Sequence, residues 1–291
     1  MTDAQPLHLA IDVRAGRTVL ATVQGGRVID MRRREHGVQP DAAQLAADVA
    51  VLVERAPGEV RGLAGVWRHG QRLGTADPGD FAALIAAIGQ HAALPTSWLP
   101  SGAALALGEW QRVPCHGPLG VFALDVGMAG GVVIAGQAFA PLRLDLGHLN
   151  VDVNGLKCAC GGRGCLHAYA SETALQELSR DFEMSLEQPS AIDRQTIMSA
   201  HLAEMQRAGI GPTHVLTDRA GWAIGVAAAR LQEAFGVVEV RVRTRHPELW
   251  QVLAPSAEAA VRQICGPRAP QFTPADPGED GFFVGAVAAA R

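Results

Sequence analysis

The stretch from residue 147 to residue 165 constrains this chain more than any other. It reads Gly147-His148, then Gly155-Leu156-Lys157-Cys158-Ala159-Cys160-Gly161-Gly162-Arg163-Gly164-Cys165. Three thiols and one imidazole form a set that saturates a tetrahedral zinc ion. Cys158 and Cys160 stand close enough in sequence to face one ion. Gly161, Gly162 and Gly164 let the backbone fold back so that Cys165 can join them. A closed Cys3His site leaves water no coordination position, so the ion expected on His148, Cys158, Cys160 and Cys165 is a structural zinc. Free thiols in a loop and a catalytic zinc are the other readings open to the same residues. The remaining cysteines, Cys115 and Cys265, make the count odd, which does not suit a disulfide framework.

Composition narrows the function. Hydrophobic residues make up 48% of 291 and charged residues 19%, with a formal net charge of -4. A core of ordinary size is possible. A strongly basic nucleic-acid binder and an acidic disordered chain are both disfavoured. No apolar run reaches the roughly 18–20 residues of a membrane helix, and Met1 to His8 lacks the pattern of a signal peptide. The expectation is a cytoplasmic protein without a membrane or nucleic-acid partner. Lys157 is the only lysine. Arg32-Arg33-Arg34 reads as a solvated strand edge.

Hydrophobic patterning gives an alternating α/β chain. Leu7 to Asp12, Thr18 to Val23 and Val28 to Arg33 read as three strands joined by tight turns. Helices are expected near 40–55, 80–91 and 103–110, with strands at 58–66 and 98–99. Leu119 to Leu124 is a buried strand ending in Asp125, followed by a turn with Gly127, Gly130 and Gly131 and a returning strand. Strand, Asp, Gly turn and strand thus occur twice. Beyond the cysteine loop, helices are expected over 170–181, 193–208, 215–235 and 248–263, a strand over 237–242, and an apolar helix from Gly281.

Gly147-His148, Cys158-x-Cys160-Gly161-x-x-Gly164-Cys165-Leu166 and Ala168-Tyr169-Ala170-Ser171 resemble the signature of the ROK family (repressors, open reading frames and sugar kinases). Leu9-Ala10-Ile11-Asp12 resembles its first phosphate motif, and Ala103 to Glu109 the helix after its catalytic aspartate. Gly285-Ala286-Val287-Ala288 resembles its C-terminal helix. The resemblance implies a two-domain actin-like ATPase (ribonuclease H-like) fold with substrate in the cleft. It implies a small domain over 1–115 plus 280–291, a larger domain over 116–279 carrying the zinc loop, and a homodimer. With no helix-turn-helix ahead of the first strand, the repressor branch is disfavoured.

The same resemblance marks departures. The family's Asn-Asp catalytic pair falls on Pro100-Ser101, and a serine hydroxyl is a poor base. The first phosphate turn, Asp-x-Gly-Gly-Thr in the family, is Asp12-Val13-Arg14-Ala15-Gly16-Arg17. Asp12 survives, while Arg14 and Arg17 either obstruct phosphate or bind it themselves. The second turn has Asp125 where an anion should sit, which implies repulsion unless Asp125 helps hold a metal. The glycine turn that receives adenosine falls on Arg241-Val242-Arg243-Thr244-Arg245. The sugar contacts fall on Asp145, His148 and His167. The expectation is a ligand- or partner-binding kinase homologue without ATP-dependent activity, a pseudokinase taking a small sugar-like ligand, with zinc and without functional ATP or magnesium. The alternatives are a sugar or amino-sugar kinase with a rearranged site, and a non-kinase enzyme built on Asp145, His148 and His167.

Overall fold

The computed structural model describes residues 5–14, 16–37, 41–68, 78–140, 145–183 and 213–290. The helix expected over 193–208 lies outside them. The first sheet contains β1 (Leu7–Arg14), β2 (Arg17–Gln24), β3 (Arg27–Glu35), β4 (Val60–Trp67) and β5 (Thr96–Pro100), in the order β3-β2-β1-β4-β5. β1 to β3 form an antiparallel meander. β4 and β5 run parallel to β1, so each must be reached by a crossover. Helices α1 (Ala42–Glu54) and α2 (Pro78–Ala92) supply those crossovers. α1 opens at Asp41, whose side chain accepts from the Ala43 N–H, satisfying one of the free donors of the first turn.

The two-residue period of a strand sends alternate side chains to opposite faces. Leu9, Ile11 and Val13 of β1 face one way and join Leu45, Val49 and Leu52 of α1 and Phe81, Ile85 and Ile88 of α2 in a buried cluster. The alternate residues Ala10, Asp12 and Arg14 face the other way. There the sheet meets α8 (Asp280–Ala288), which packs on α3 (Ser101–Arg112). These two helices touch backbone to backbone. A Cβ on Gly108 would collide with the Gly281 carbonyl, and one on Gly285 with the Ala104 carbonyl. That close approach explains the Ala- and Gly-rich composition of both segments.

The second sheet contains β6 (Leu119–Leu124), β7 (Met128–Ile134), β8 (Gln137–Phe139), β9 (Glu239–Thr244) and β10 (Gln271–Pro274), in the order β10-β9-β6-β7-β8. Read from its other edge, this is the strand order of the first sheet. The duplication suggested by two Asp-and-Gly turns is therefore present in the topology. Between β8 and β9 run the cysteine loop, the short helix α4 (His167–Ala170), α5 (Glu172–Glu183) and α6 (Thr213–Phe235). α7 (Pro247–Cys265) leads from β9 to β10. Gly221 and Gly225 of α6 lie under the Leu253 and Ala257 carbonyls of α7, where no side chain fits.

The chain groups into two compact units. One comprises Met1–Pro114, Gly131–Leu144 and Gly278–Arg291, the other Cys115–Gly130 and Asp145–Pro277. Among the described residues no helix is long and apolar enough to cross a membrane.

Gly285→Leu should force α3 and α8 apart and lower the unfolding free energy by about 3 kcal/mol. Urea denaturation reads this directly, and an unchanged midpoint would show that the contact is not tight.

Candidate functional site

The cysteine loop is folded by its own backbone. The Gly164 N–H donates to the Leu156 carbonyl at 2.8 Å and the Val151 N–H to the Gly164 carbonyl at 2.7 Å, while the Cys158 N–H reaches the Gly162 carbonyl at 2.9 Å. Gly164 has φ +67°, and a Cβ there would run into the Asp152 carbonyl. Only glycine permits that turn, and the turn is what brings Cys165 back toward Cys158. Tyr169 braces the loop from α4. Its hydroxyl donates to Asp152 Oδ2 at 3.0 Å and accepts from the Leu156 N–H at 3.1 Å.

One ligand atom each from His148, Cys158, Cys160 and Cys165 lie within 4.8 Å of one another. Cys160 Sγ and Cys165 Sγ are 3.7 Å apart, and Cys158 Sγ lies 3.5 Å from His148 Nδ1. Tetrahedral zinc with ordinary bond lengths requires sulfur–sulfur edges of about 3.8 Å and sulfur–nitrogen edges of about 3.6 Å. The residues fit the ion. Burial, together with the crowding of its neighbours, pushes the Cys165 thiol up to about 12. Burial also raises Cys158. At Cys160 burial is outweighed by hydrogen bonds from the Gly162 N–H and the other two thiols, and the value falls. Three adjacent thiols cannot all ionise without a cation between them, so metal binding here must expel protons.

Asp145 positions the histidine of this set. It caps the short 3-10 turn Leu146–His148, its Oδ1 accepting from the Gly147 N–H at 2.9 Å. Its Oδ2 stands 3.9 Å from His148 Nε2, the ring nitrogen that faces away from the sulfurs. At that distance the carboxylate acts on the ring through its charge and not through a hydrogen bond. His167 stacks on His148 with ring centroids 5.5 Å apart. Its Nδ1 accepts from the Met128 N–H at 3.3 Å. Burial, then the neighbouring His148, lowers its pKa, which favours the neutral ring. Asp145, His148 and His167 are therefore brought together.

Asp12 is fully buried, and both of its oxygens are taken. Arg68 donates through Nε at 2.9 and 3.0 Å and through Nη2 at 2.7 Å. Arg14 donates through Nε at 2.9 Å and Nη2 at 2.6 Å. The third nitrogen of Arg14 reaches Glu279 at 2.8 Å, and the Arg68 guanidinium lies 4.5 Å from the centre of the Phe282 ring. Burial alone would raise the Asp12 carboxyl, but the two guanidiniums hold it below its ordinary range. Both oxygens of Asp12 thus accept from guanidiniums, and Arg14 is engaged by Asp12 and Glu279 together. Ser101 starts α3, preceded by Pro100 as its cap, and is buried.

Asp125 corrects one expectation. It does not stand as an uncompensated negative charge in the second turn. Arg243 Nη1 reaches its Oδ2 at 2.7 Å and Arg245 Nε its Oδ1 at 2.8 Å. Arg243 is itself buried, with Nη2 donating to the Pro277 carbonyl at 2.8 Å. Asp125, just after β6, and Arg243 and Arg245, at and just beyond the end of β9, are two halves of one ion-pair cluster. Glu172, at the start of α5, adds a second carboxylate 3.7 Å from Arg245. Burial and then the Asp125 charge raise its pKa, with the arginines opposing.

The sequence model of the ROK family matches residues 86–288. The chain belongs to the ROK family. Among curated relatives, a kanosamine kinase of Amycolatopsis mediterranei is 30% identical over 184 residues, covering 58% of this chain and 60% of that protein. A glucokinase of Thermotoga maritima is 32% identical over 121 residues, covering 39% of this chain and 38% of that protein. A xylose repressor of Bacillus subtilis is 29% identical over 123 residues, covering 41% of this chain and 29% of that protein. The matched stretch thus spans less than two thirds of each of these relatives. Among solved structures, a ROK transcriptional regulator described as a homologue of the E. coli MLC protein aligns with a TM-score of 0.79 at 19% identity, over 97% of this chain and 77% of its own. A ROK hexokinase of Thermus thermophilus gives 0.77 at 19% identity, over 97% and 98%. These similarities establish the actin-like ATPase fold.

In this ROK protein the residues missed by sequence reasoning are Arg68, Glu279 and Glu172. Arg68 and Glu279 lie far along the chain from Asp12 and carry no local motif. The pairing of Asp125 with Arg243 and Arg245 had a visible signal, since the segments expected to receive phosphate and adenosine carry opposite charges.

Purified protein should contain about one zinc per chain, and Cys160→Ser should lose both the metal and thermal stability; a stable, metal-free wild type would remove the zinc site. Asp12→Asn should cost about 3–5 kcal/mol at neutral pH, because it strands two buried guanidiniums. The pH sign follows from the lowered carboxyl. Its contribution is complete above the ordinary value of 3.8 and is lost as pH falls through the lower folded value. Chemical denaturation across the acid range should therefore show a steeper decline for wild type than for Asp12→Asn, and parallel curves would contradict the assignment.

Proposed function

We propose that this ROK protein is a sugar-kinase homologue that has lost ATP-dependent phosphoryl transfer and acts as a ligand- or partner-binding protein. One observation carries the reading: the Asp12 carboxylate that would help hold magnesium is bound on both oxygens by Arg14 and Arg68. Phosphoryl transfer depends on positioning and on cations that neutralise the transferred group. Arginines locked to an internal carboxylate do neither. Three further features support it. Ser101 stands where the family resemblance calls for the catalytic base. Asp125 stands in the second phosphate turn and is engaged there by Arg243 and Arg245. Arg243 and Arg245 fill the adenosine turn and are held there by Asp125.

The ligand class in this reading is a small sugar-like polyol. Relatives named as kanosamine kinase, N-acetylmannosamine kinase and glucokinase support that choice, as does the grouping of Asp145, His148 and His167. The zinc ion would hold His148 from one side while the Asp145 charge lies on the other, a structural role. Acid–base catalysis by these three residues has less support, because His148 Nδ1 belongs to the metal set and His167 Nδ1 is occupied by the Met128 N–H.

Titration calorimetry with Mg-ATP should show no binding at millimolar nucleotide, while a panel of neutral hexoses and amino sugars should contain at least one binder. Ser101→Asp alone should create no kinase activity, because the base is not the only lesion. Saturable Mg-ATP binding by the wild type, with turnover of any sugar, would overturn the reading.

A further inference from the structure

The arginines around the first phosphate turn outnumber the carboxylates they face. Among the described residues Arg14, Arg17, Arg33 and Arg68 lie within ion-pair distance of two acids, Asp12 and Glu279, an excess of two positive charges. Arg14 and Arg68 are spent on Asp12 and, for Arg14, Glu279. Arg17 and Arg33 are not. Each approaches Glu279 only to 3.8 Å, beyond a normal N–H···O hydrogen bond.

The fold makes the convergence. Arg17 opens β2 opposite Arg14, and Arg33 on β3 is opposite Val19, two residues further along β2. The strand period therefore puts Arg14, Arg17 and Arg33 on one face of the sheet, the face where Glu279 precedes α8. The neighbours of Arg33 behave differently. Arg32 pairs with Asp30, and Arg34 with Asp48. Of the run Arg32 to Arg34, only Arg33 lacks an acid of its own. Among the described residues the Arg17 guanidinium makes no hydrogen bond, and that of Arg33 makes one, to the Met31 sulfur at 3.5 Å. Arg17 is 34% exposed and Arg33 55%, so solvent and ligands reach both. Glu35 lies across from Arg17 in register and forms no ion pair with it.

We propose that Arg17 and Arg33 form an oxyanion site for a phosphate monoester, with Glu279 as an internal carboxylate that partly occupies it. Planar guanidinium forks suit a tetrahedral dianion, each offering two parallel N–H donors. An excess of two positive charges matches a dianion better than a monocarboxylate. The site differs from a magnesium–nucleotide site, because it uses side-chain cations instead of backbone N–H groups and a metal. It is also independent of whether ATP is turned over.

The test uses the full chain, with inorganic phosphate, glucose 6-phosphate and glucose as probes in calorimetry at low salt. Phosphate and glucose 6-phosphate should bind more tightly than any contact made by the neutral sugar at this site, and added salt should weaken them. Arg17→Ala and Arg33→Ala should each weaken phosphate by about tenfold. Both side chains are solvent-exposed, so the thermal transition should stay in place. Glu279→Gln should strengthen phosphate binding, since it removes the competing internal anion. Absence of phosphate binding, binding untouched by both arginine variants, or weaker binding in Glu279→Gln would each overturn the proposal. Mg-ATP forms a separate arm. Binding that depends on Asp12 would defeat the loss-of-kinase reading, and the phosphate response of the Arg17 and Arg33 variants would still decide this site.

Discussion

A carboxylate with no solvent exposure must be neutralised by a cation, because burying an isolated charge costs far more than a domain's whole stability margin. Asp12 is such a group. Its partners, Arg14 and Arg68, come from the end of β1 and the residue after β4. Arg14 then reaches Glu279 just ahead of α8. One buried charge thus ties together the strand pair at the centre of the first sheet and the helix that covers it. A magnesium ion would have to displace two charge-assisted, multiply hydrogen-bonded arginines to reach the same oxygens.

The second sheet solves a similar electrostatic problem with different residues. Asp125 follows β6, and Arg243 and Arg245 end the neighbouring parallel strand β9. Any one of the three alone would leave an unpaired charge at the ends of two inner strands. Together they close the position with an ion pair in which Arg243 is buried and Arg245 is half-exposed. At both duplicated turns an aspartate is held by arginines of the chain itself. In the cysteine loop the His148, Cys158, Cys160 and Cys165 ligand atoms lie within 4.8 Å of one another, with Asp145 beside the His148 ring.

Much of this was legible in sequence where the physics is local. The metal set lies within one loop, so residue spacing and glycine positions were enough to find it. Most strands of both sheets and most helices follow from apolar spacing, whereas the short edge strands β8 and β10 carry no such pattern and were not expected. Boundaries moved where caps decide them. α3 begins at Ser101 because Pro100 precedes it, and α5 begins at Glu172 because Ser171 leaves the helical region and accepts from the Ala174 N–H. The ion-pair clusters were not legible in the same way. Arg68 is 56 residues from Asp12, Glu279 is 265 from Arg14, and Arg243 is 118 from Asp125. No periodicity connects such positions. Only the topology, which sets β1 beside β4 and β6 beside β9, brings them within reach.

The most direct test of the account is a crystal structure grown with magnesium and a non-hydrolysable ATP analogue at saturating concentration. It should show Arg14 and Arg68 still on the Asp12 carboxylate, with no metal there. A magnesium ion at about 2.1 Å from an Asp12 oxygen, with both guanidiniums swung aside and phosphate beyond it, would contradict it.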